Sequence, residues 1–309
     1  MTTELVLLGT AGAPMPVAGR GGISSALVVD DRIFVIDCGR GAPSAFVNAG
    51  LDFRRLDAVF VTHLHVDHVG DLPGTLLYPW GIRTGRHGPL PPIRVYGPGA
   101  IDLVNGILTT YAYHLKVMPL DAEMPDPGGL VRAIDVAIPA PPGGGARKRV
   151  VVMDDGGVRV SAIAVTHGHV MPALAYRFDT PYGSVVFSGD TTVNDDLIAL
   201  AQEADILVHC VADLSYLERH GTTGAELKRM AGLHTDVTQV GGVAERARVG
   251  ELVLTHYLPA EPDAIGEAEW AARAATTFSG RTTAGRDGLR RVLRRDTKRL
   301  NRSSRLGVH

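Results

Sequence analysis

The sequence predicts one layered α/β domain. Short apolar segments of strand length recur in both halves of the chain, helical segments are interspersed between them, and glycine or proline punctuates the joints. No internal repeat of fixed short period is present. Strands that alternate with helices bury their faces in a layered sheet structure, which favours one domain of this type over two separate ones. The 309 residues, 45% hydrophobic and 21% charged with a net charge of −2, supply ample core material and exclude disorder as the main state.

Residues 5–8 read as a short buried strand that ends at Gly9-Thr10-Ala11-Gly12. Residues 26–29 and 33–36 flank Asp30-Asp31-Arg32 and read as a hairpin. Residues 42–49 suit a helix closed by Gly50, and 58–61 form another apolar strand directly before a histidine cluster. Proline and glycine dominate 119–149, which reads as a loop insertion around one strand at 131–138, of the kind that often forms a lid or binding segment. Beyond Gly157, strands are expected at 158–166, 173–178, 184–188, 206–208 and 251–255. Helices are expected at 194–202, near 235–246 and near 263–276.

Charge is unevenly spread. Residues 281–309 hold ten Arg or Lys against two Asp, a net of +8, which leaves −10 for the rest. The chain is divided accordingly into a main domain over 1–290 and a basic tail over 291–309. The tail reads as a solvated, frayed helix; its charge can attract phosphates, but it offers no aromatic for base stacking. No apolar run approaches the roughly 18 residues of a membrane span, so no membrane partner is expected. The N-terminal Met1-Thr2-Thr3-Glu4 lacks the basic stretch of a secretory signal, and two cysteines, Cys38 and Cys210, cannot build a disulfide framework. The expected location is the cytoplasm.

Thr62-His63-Leu64-His65-Val66-Asp67-His68 is the densest cluster of potential ligands. Three imidazoles and a carboxylate within six residues, directly after an apolar strand, would be costly to bury unpaired. Zinc above all favours neutral imidazole with some carboxylate, with manganese or iron as the other candidates. Alternation along an extended segment puts His63 and His65 on one side, where they could share a metal, while Asp67 and His68 lie where the chain turns and could serve a second. The alternative is a surface loop that happens to be histidine-rich. It is disfavoured because further candidates follow later strands: His167 and His169, Asp190 in Ser188-Gly189-Asp190-Thr191, and His256 in Leu254-Thr255-His256-Tyr257. A carboxylate between two cations can bridge them, and water held there loses its proton near neutral pH and becomes a nucleophile.

These residues carry a resemblance. His63-Leu64-His65-Val66-Asp67-His68 with downstream His, Asp and His resembles the metallo-β-lactamase superfamily of binuclear metal hydrolases, and more narrowly its ribonuclease Z and arylsulfatase-like branch. Matching segments are Leu8-Gly9-Thr10-Ala11-Gly12, Ile36-Asp37-Cys38-Gly39, Gly70-Asp71-Leu72-Pro73-Gly74, Val95-Tyr96-Gly97-Pro98-Gly99 and Ser188-Gly189-Asp190-Thr191. The resemblance runs from Leu5 to about Arg286. It implies a four-layer αββα sandwich with the metal site at one edge of the sheets. It further implies that His63, His65 and His169 hold the first zinc, that Asp67, His68 and His256 hold the second, and that Asp190 bridges them. His169 is preferred to His167 because the family's third ligand precedes a Gly/Ala-Tyr-Arg strand by a fixed interval, which His169 keeps to Ala175-Tyr176-Arg177.

Two departures bear on substrate. Bacterial ribonuclease Z proteins carry a protruding arm that grips transfer RNA between the third ligand and the bridging Asp, and His169 and Asp190 leave no room for one. The family's His-Glu-Ala-Thr segment corresponds to His209-Cys210-Val211-Ala212, so the Glu position falls on Cys210. His234 then stands as a candidate general acid or, equally, as a core or helix-capping residue, with Asp213 a candidate carboxylate partner. The resulting expectation is a binuclear zinc hydrolase in which a metal-bridging hydroxide, oriented by Asp67, attacks a small phosphodiester or carboxylic ester. The alternatives are a ribonuclease Z-like RNA endonuclease and arylsulfatase, lactonase or β-lactamase activity at the same site. A homodimer is the expected assembly, and a non-enzymatic metal-binding module is disfavoured by the complete ligand set. His87, His114, His220 and His309 read as structural or solvent-exposed. Trp80, Tyr111, Tyr113 and Tyr257 are candidates for a pocket wall or for ordinary packing.

Overall fold

The structure, a computed structural model, describes residues 2–84, 90–122, 127–139 and 147–294. His87, His309, the tail from residue 295 and the centre of the Pro/Gly-rich stretch (123–126 and 140–146) lie outside the described residues.

The first half supplies β1 (Thr3–Gly9), β2 (Ser24–Val29), β3 (Arg32–Ile36), β4 (Leu56–Phe60), β5 (Ile93–Gly97) and β6 (Val131–Asp135). The second supplies β7 (Val150–Asp155), β8 (Val158–His167), β9 (Val170–Thr180), β10 (Gly183–Phe187), β11 (Ile206–Ala212), β12 (Glu251–Leu258), β13 (Arg281–Ala284) and β14 (Arg290–Leu293). They form two seven-stranded sheets, ordered β14-β1-β2-β3-β4-β5-β6 and β13-β12-β11-β10-β9-β8-β7. Each sheet is antiparallel on one flank and parallel on the other, where β3 to β6 and β10 to β13 run side by side.

Both faces of each sheet are covered, which is why the central strands read as unbroken apolar runs. Leu5, Leu7, Phe34 and Phe60 of the first sheet meet Tyr176, Phe178, Phe187 and Val253 of the second in the layer between them. Phe60 stacks on Tyr96 at 4.9 Å and takes the edge of Phe178 at 5.0 Å, an arrangement that suits the ring quadrupoles. The alternate residues Val6, Leu8, Val35 and Val59 face outward. There they pack under α1 (Ala42–Asn48), α3 (Leu72–Leu77), α4 (Trp80–Thr84) and α5 (Ala100–Thr110). The outer face of the second sheet is covered by α7 (Asp195–Leu200), α10 (Val237–Ala247) and α11 (Glu267–Ala274). The remaining α-helices among the described residues are α2 (Val66–Val69), α6 (Ala112–Ala122), α8 (Leu214–Arg219) and α9 (Gly224–Ala231). The expected αββα sandwich is therefore the fold.

Several elements differ from expectation. The start of the 119–149 segment belongs to α6, which contains Pro119, and β6 ends at Asp135 rather than at 138. Residues 290–293, expected at the edge of a frayed helix, pair antiparallel with β1, Thr3 opposite Leu293 and Val6 opposite Arg290. The division at residue 290 thus falls at the start of a strand of the sandwich. Alternation supports the edge strand: Arg291 is half-buried and donates to Glu251 at 2.8 Å, while Arg290 reaches Glu4. Among the described residues no helix is long and apolar enough to cross a membrane.

Candidate metal centre

The carboxyl ends of the parallel strands open at one edge of the sandwich, where loops are free to carry side chains. Asp37 follows β3 with φ 58, a left-handed conformation that a short polar side chain tolerates. Its carboxylate accepts hydrogen bonds from the Thr62 amide and the Thr62 hydroxyl, each at 2.8 Å, and lies 2.8 Å from His68 Nδ1. The segment after β4 is thereby tied down before it enters α2. His65 occupies the N-cap position of that helix, and the first turn carries Asp67 and His68. The two sheets are joined at the same place by the Leu174 amide, which donates to Thr62 O at 2.9 Å.

Imidazoles and carboxylates from five segments converge here. His63 Nε2 lies 3.0 Å from His65 Nδ1, which lies 3.3 Å from His167 Nε2. His68 Nε2 is 3.3 Å from His256 Nε2, and His256 Nε2 is 3.5 Å from an Asp67 oxygen and 3.2 Å from an Asp190 oxygen. The same Asp190 oxygen is 3.5 Å from His68 and 3.7 Å from His167, so it stands between the two groups. In four trios the candidate ligand atoms all lie within 4.8 Å of one another: His63-His65-His167, His63-His68-Asp190, Asp67-His68-His256 and His167-Asp190-His234.

Burial sets the protonation of these groups. It drives the His63 pKa far down and lowers that of His167, which keeps both imidazoles neutral, the form that binds metal. Burial also opposes charge on His68, but facing Asp190 and Asp37 outweighs it and raises the pKa. Burial of Asp190 would raise its pKa, yet His256 and His68 hold it well below the usual carboxylate range. Asp67 Oδ1 and His256 Nδ1 are buried without a hydrogen-bond partner in the protein. Lone pairs crowded into one small space, with orphaned polar atoms among them, are what a cation would satisfy. A donor set of imidazole and carboxylate without thiolate fits zinc.

The structure gathers His63, His65, Asp67, His68, Asp190 and His256, and it leaves His169 out. β8 runs as far as His167, which pairs with Val170, so Gly168 and His169 form the two-residue hairpin tip with Gly168 at φ 55. His169 is exposed there, and His167, 2% exposed, occupies the position beside His63 and His65. His167 Nδ1 donates to Leu233 O at 2.9 Å, which leaves Nε2 facing His65 and Asp190. The interval to Tyr176 pointed to His169, whereas the structure places His167 beside His63 and His65 and His169 at the hairpin tip.

His234 is buried beside the ligands, its Nδ1 3.9 Å from Asp190 and without a hydrogen-bond partner in the protein. Burial pushes its pKa down to about 3, so it is neutral at physiological pH. Asp213 does not partner it. That carboxylate pairs with Arg273 and caps α8 through the Tyr216 amide at 2.9 Å. Burial pushes both thiols up to about 12; Cys38 packs in the core, and Cys210 sits against Thr191. Trp80 and Tyr257 are core residues, whereas Tyr111 and Tyr113 are exposed at the junction of α5 and α6. His114 lies against Trp80, and His220 stacks on Tyr216. Sequence reasoning named Asp37 only as part of a motif and missed its hold on His68. The available signal was an acidic residue directly after an apolar strand, the same signal that marked Asp190.

Comparison with known proteins agrees with this geometry. The family model for the metallo-beta-lactamase superfamily matches residues 18–242. A ribonuclease Z of Mycobacterium bovis (strain BCG / Pasteur 1173P2) is 32% identical over 292 residues, 94% of this chain and 97% of the relative. Among solved structures, the metallo-beta-lactamase fold protein YhfI of Bacillus subtilis superposes with a TM-score of 0.67 at 18% identity, over 94% of this chain and 100% of that one. The short form of human tRNase Z superposes with a TM-score of 0.66 at 21% identity, over 93% and 98% respectively. With its sandwich, its histidine and aspartate constellation and these matches, the chain belongs to the metallo-beta-lactamase superfamily, in the ribonuclease Z and arylsulfatase-like branch, and is a metal-dependent hydrolase of ester or phosphodiester bonds.

Proposed function

We propose that the chain is a ribonuclease Z-like phosphodiesterase that cuts RNA at a binuclear zinc centre. The observation that carries this reading is the match to the mycobacterial ribonuclease Z, which spans 292 residues and 97% of that relative. A match of that extent leaves no room in the relative for a long arm that this chain lacks. The missing arm, which weighed against RNA in the sequence, therefore loses its force, and RNA moves ahead of a small ester.

In this proposal His63, His65 and His167 hold one zinc, Asp67, His68 and His256 hold the other, and Asp190 lies between them. Bound zinc supplies Lewis acidity toward a phosphoryl oxygen and acidifies water. The chain's own contribution is position. Asp37 fixes His68 through Nδ1, and the Leu233 carbonyl fixes His167 through Nδ1, so that each presents Nε2. Asp67 Oδ1, buried and free of protein hydrogen bonds, is available to orient the attacking water. His234, neutral, serves the departing oxygen as an N–H hydrogen-bond donor rather than as an imidazolium. The cytoplasm is the proposed location, in keeping with two buried free thiols. A homodimer is the proposed assembly, on the resemblance to dimeric branch relatives, and sedimentation velocity checks it.

Hydrolysis of a small phosphodiester or carboxylic ester is the second reading. It is favoured by exposed apolar residues near the ligands in the sequence: Leu64, Val66, Met171 and Val193 are 46%, 63%, 79% and 40% exposed. The deciding experiment incubates zinc-loaded protein with a precursor transfer RNA, bis-nitrophenyl phosphate and nitrophenyl esters, with and without chelator. Chelator-sensitive cleavage of the RNA at a single position supports the proposal. Turnover of the small esters with intact RNA selects the second reading.

A further inference from the structure

The Gly9-Thr10-Ala11-Gly12 segment, singled out in the sequence and unused by the chemistry above, lies directly against His256. Residue 256 is the extra residue of a bulge in β12: the register with β11 slips between Cys210–Thr255 and Val211–Tyr257. It adopts φ 51, a conformation that a histidine holds only when its surroundings enforce it. The turn after β1 provides that enforcement from some 245 residues away. Gly12 N–H donates to Tyr257 O at 3.1 Å, and Tyr257 N–H donates to Thr10 O at 3.1 Å. Thr10 is itself anchored by its hydroxyl, which donates to Asp287 at 2.8 Å.

Gly12 is required by space and not by backbone freedom, because it is absent from the positive-φ glycines. A Cβ at this position would stand 2.8 Å from His256 Nδ1, 2.7 Å from Tyr257 O and 2.9 Å from His256 O. Carbon cannot approach that closely. Either the turn would retract and break both hydrogen bonds to Tyr257, or the His256 ring would move away from Asp67, His68 and Asp190. The three atoms nearest to such a Cβ belong to His256 and Tyr257, and none of them to His63, His65 or His167.

We propose that the Thr10–Gly12 turn, with Gly12 as its obligatory residue, is the positioning element for His256 and so sets the affinity of the second metal alone. The inference rests on the binuclear reading above. The test is a zinc titration of apoprotein against a chromophoric chelator, with bound metal counted by elemental analysis and folding followed by circular dichroism. Wild-type protein is expected to bind two ions per chain; fewer would overturn the binuclear reading itself. Gly12→Ala is expected to keep the first ion at wild-type affinity and to bind the second at least about tenfold more weakly, the scale of a lost supporting contact. In a His256→Ala background the same change is expected to weaken metal binding no further. Thr10→Val, which cuts the tie to Asp287 and adds no clash, is the milder variant, expected to weaken the second ion about threefold. It decides the matter if Gly12→Ala does not fold. Unchanged affinity for both ions in the folded variants, or equal weakening of both, would overturn the proposal.

Discussion

At the residue scale, two histidines two positions apart have opposite fates. His167 is buried among the ligands with Nδ1 committed to a carbonyl, and His169 is exposed at a hairpin tip. His167→Ala is therefore expected to lose one metal per chain and at least about 100-fold in kcat/KM, since in the proposed centre it removes one of the three histidines that hold the first zinc. His169→Ala should stay within about twofold, and metal content with kinetics on the pair checks both. Asp37 works through His68. Asp37→Asn keeps the shape but turns an acceptor of three hydrogen bonds into a weaker, partly donating group, and metal affinity is expected to fall about 10- to 100-fold, measured by chelator competition.

Elements carry the next level of control. β11 ends at Ala212, and Asp213 joins that end to α8 and α11, capping the first and pairing with Arg273 of the second. Burial would raise the Asp213 pKa, but the Arg273 hydrogen bonds, the Tyr216 amide and Ser215 outweigh it and hold the pKa below the ordinary value. A carboxyl depressed in the folded state contributes stability that is present above its unfolded pKa of about 4 and is lost as pH falls through the folded value. Arg273→Leu is expected to cost about 2 kcal/mol at pH 7, discounted for the partial exposure of the arginine. It should also flatten the loss of stability below about pH 4. Urea melts at pH 7 and at pH 3 would show both effects, and a parallel loss at the two pH values would contradict this account.

Across the whole molecule, the two sheets are held at both ends. At the metal edge they are joined through Leu174, Thr62 and the converging ligands. At the opposite edge Arg32 and Arg94 of the first sheet each pair with Asp57 and with Asp155 at the end of β7. The sandwich is closed along its flank by β14, so the place where the chain is cut matters. Truncation after Arg286 removes β14 and leaves β1 unpaired on that side, and a loss of at least about 5 °C in Tm is expected. Truncation after Arg294 should leave Tm unchanged. It removes five Arg or Lys against one Asp, so the salt dependence of RNA binding should become shallower by up to about 3 in logarithmic slope. An identical slope for the full chain and the shorter one would exclude the tail from RNA contact.

The sequence by itself determined the layered α/β class and the order of the central strands along the chain, and it named as candidate ligands six of the eight residues that gather at the metal edge, with His234 beside them as a candidate acid. Those features are written locally: apolar runs of strand length specify buried strands, and a cluster of ligand-type side chains at a strand end has few other uses. It also pointed to the superfamily, because the ligand motif is short and contiguous. Only the tertiary structure placed His167 rather than His169 beside His63 and His65, because that placement depends on where a hairpin tip falls relative to residues about a hundred positions earlier. The same holds for Asp37 on His68, for the Thr10–Gly12 turn on His256, for Asp213 on Arg273 instead of His234, and for β14 on β1. Each is a contact between segments remote in the chain. Its partner is fixed by the closure of two sheets onto one another and leaves no periodicity or spacing in the sequence to read.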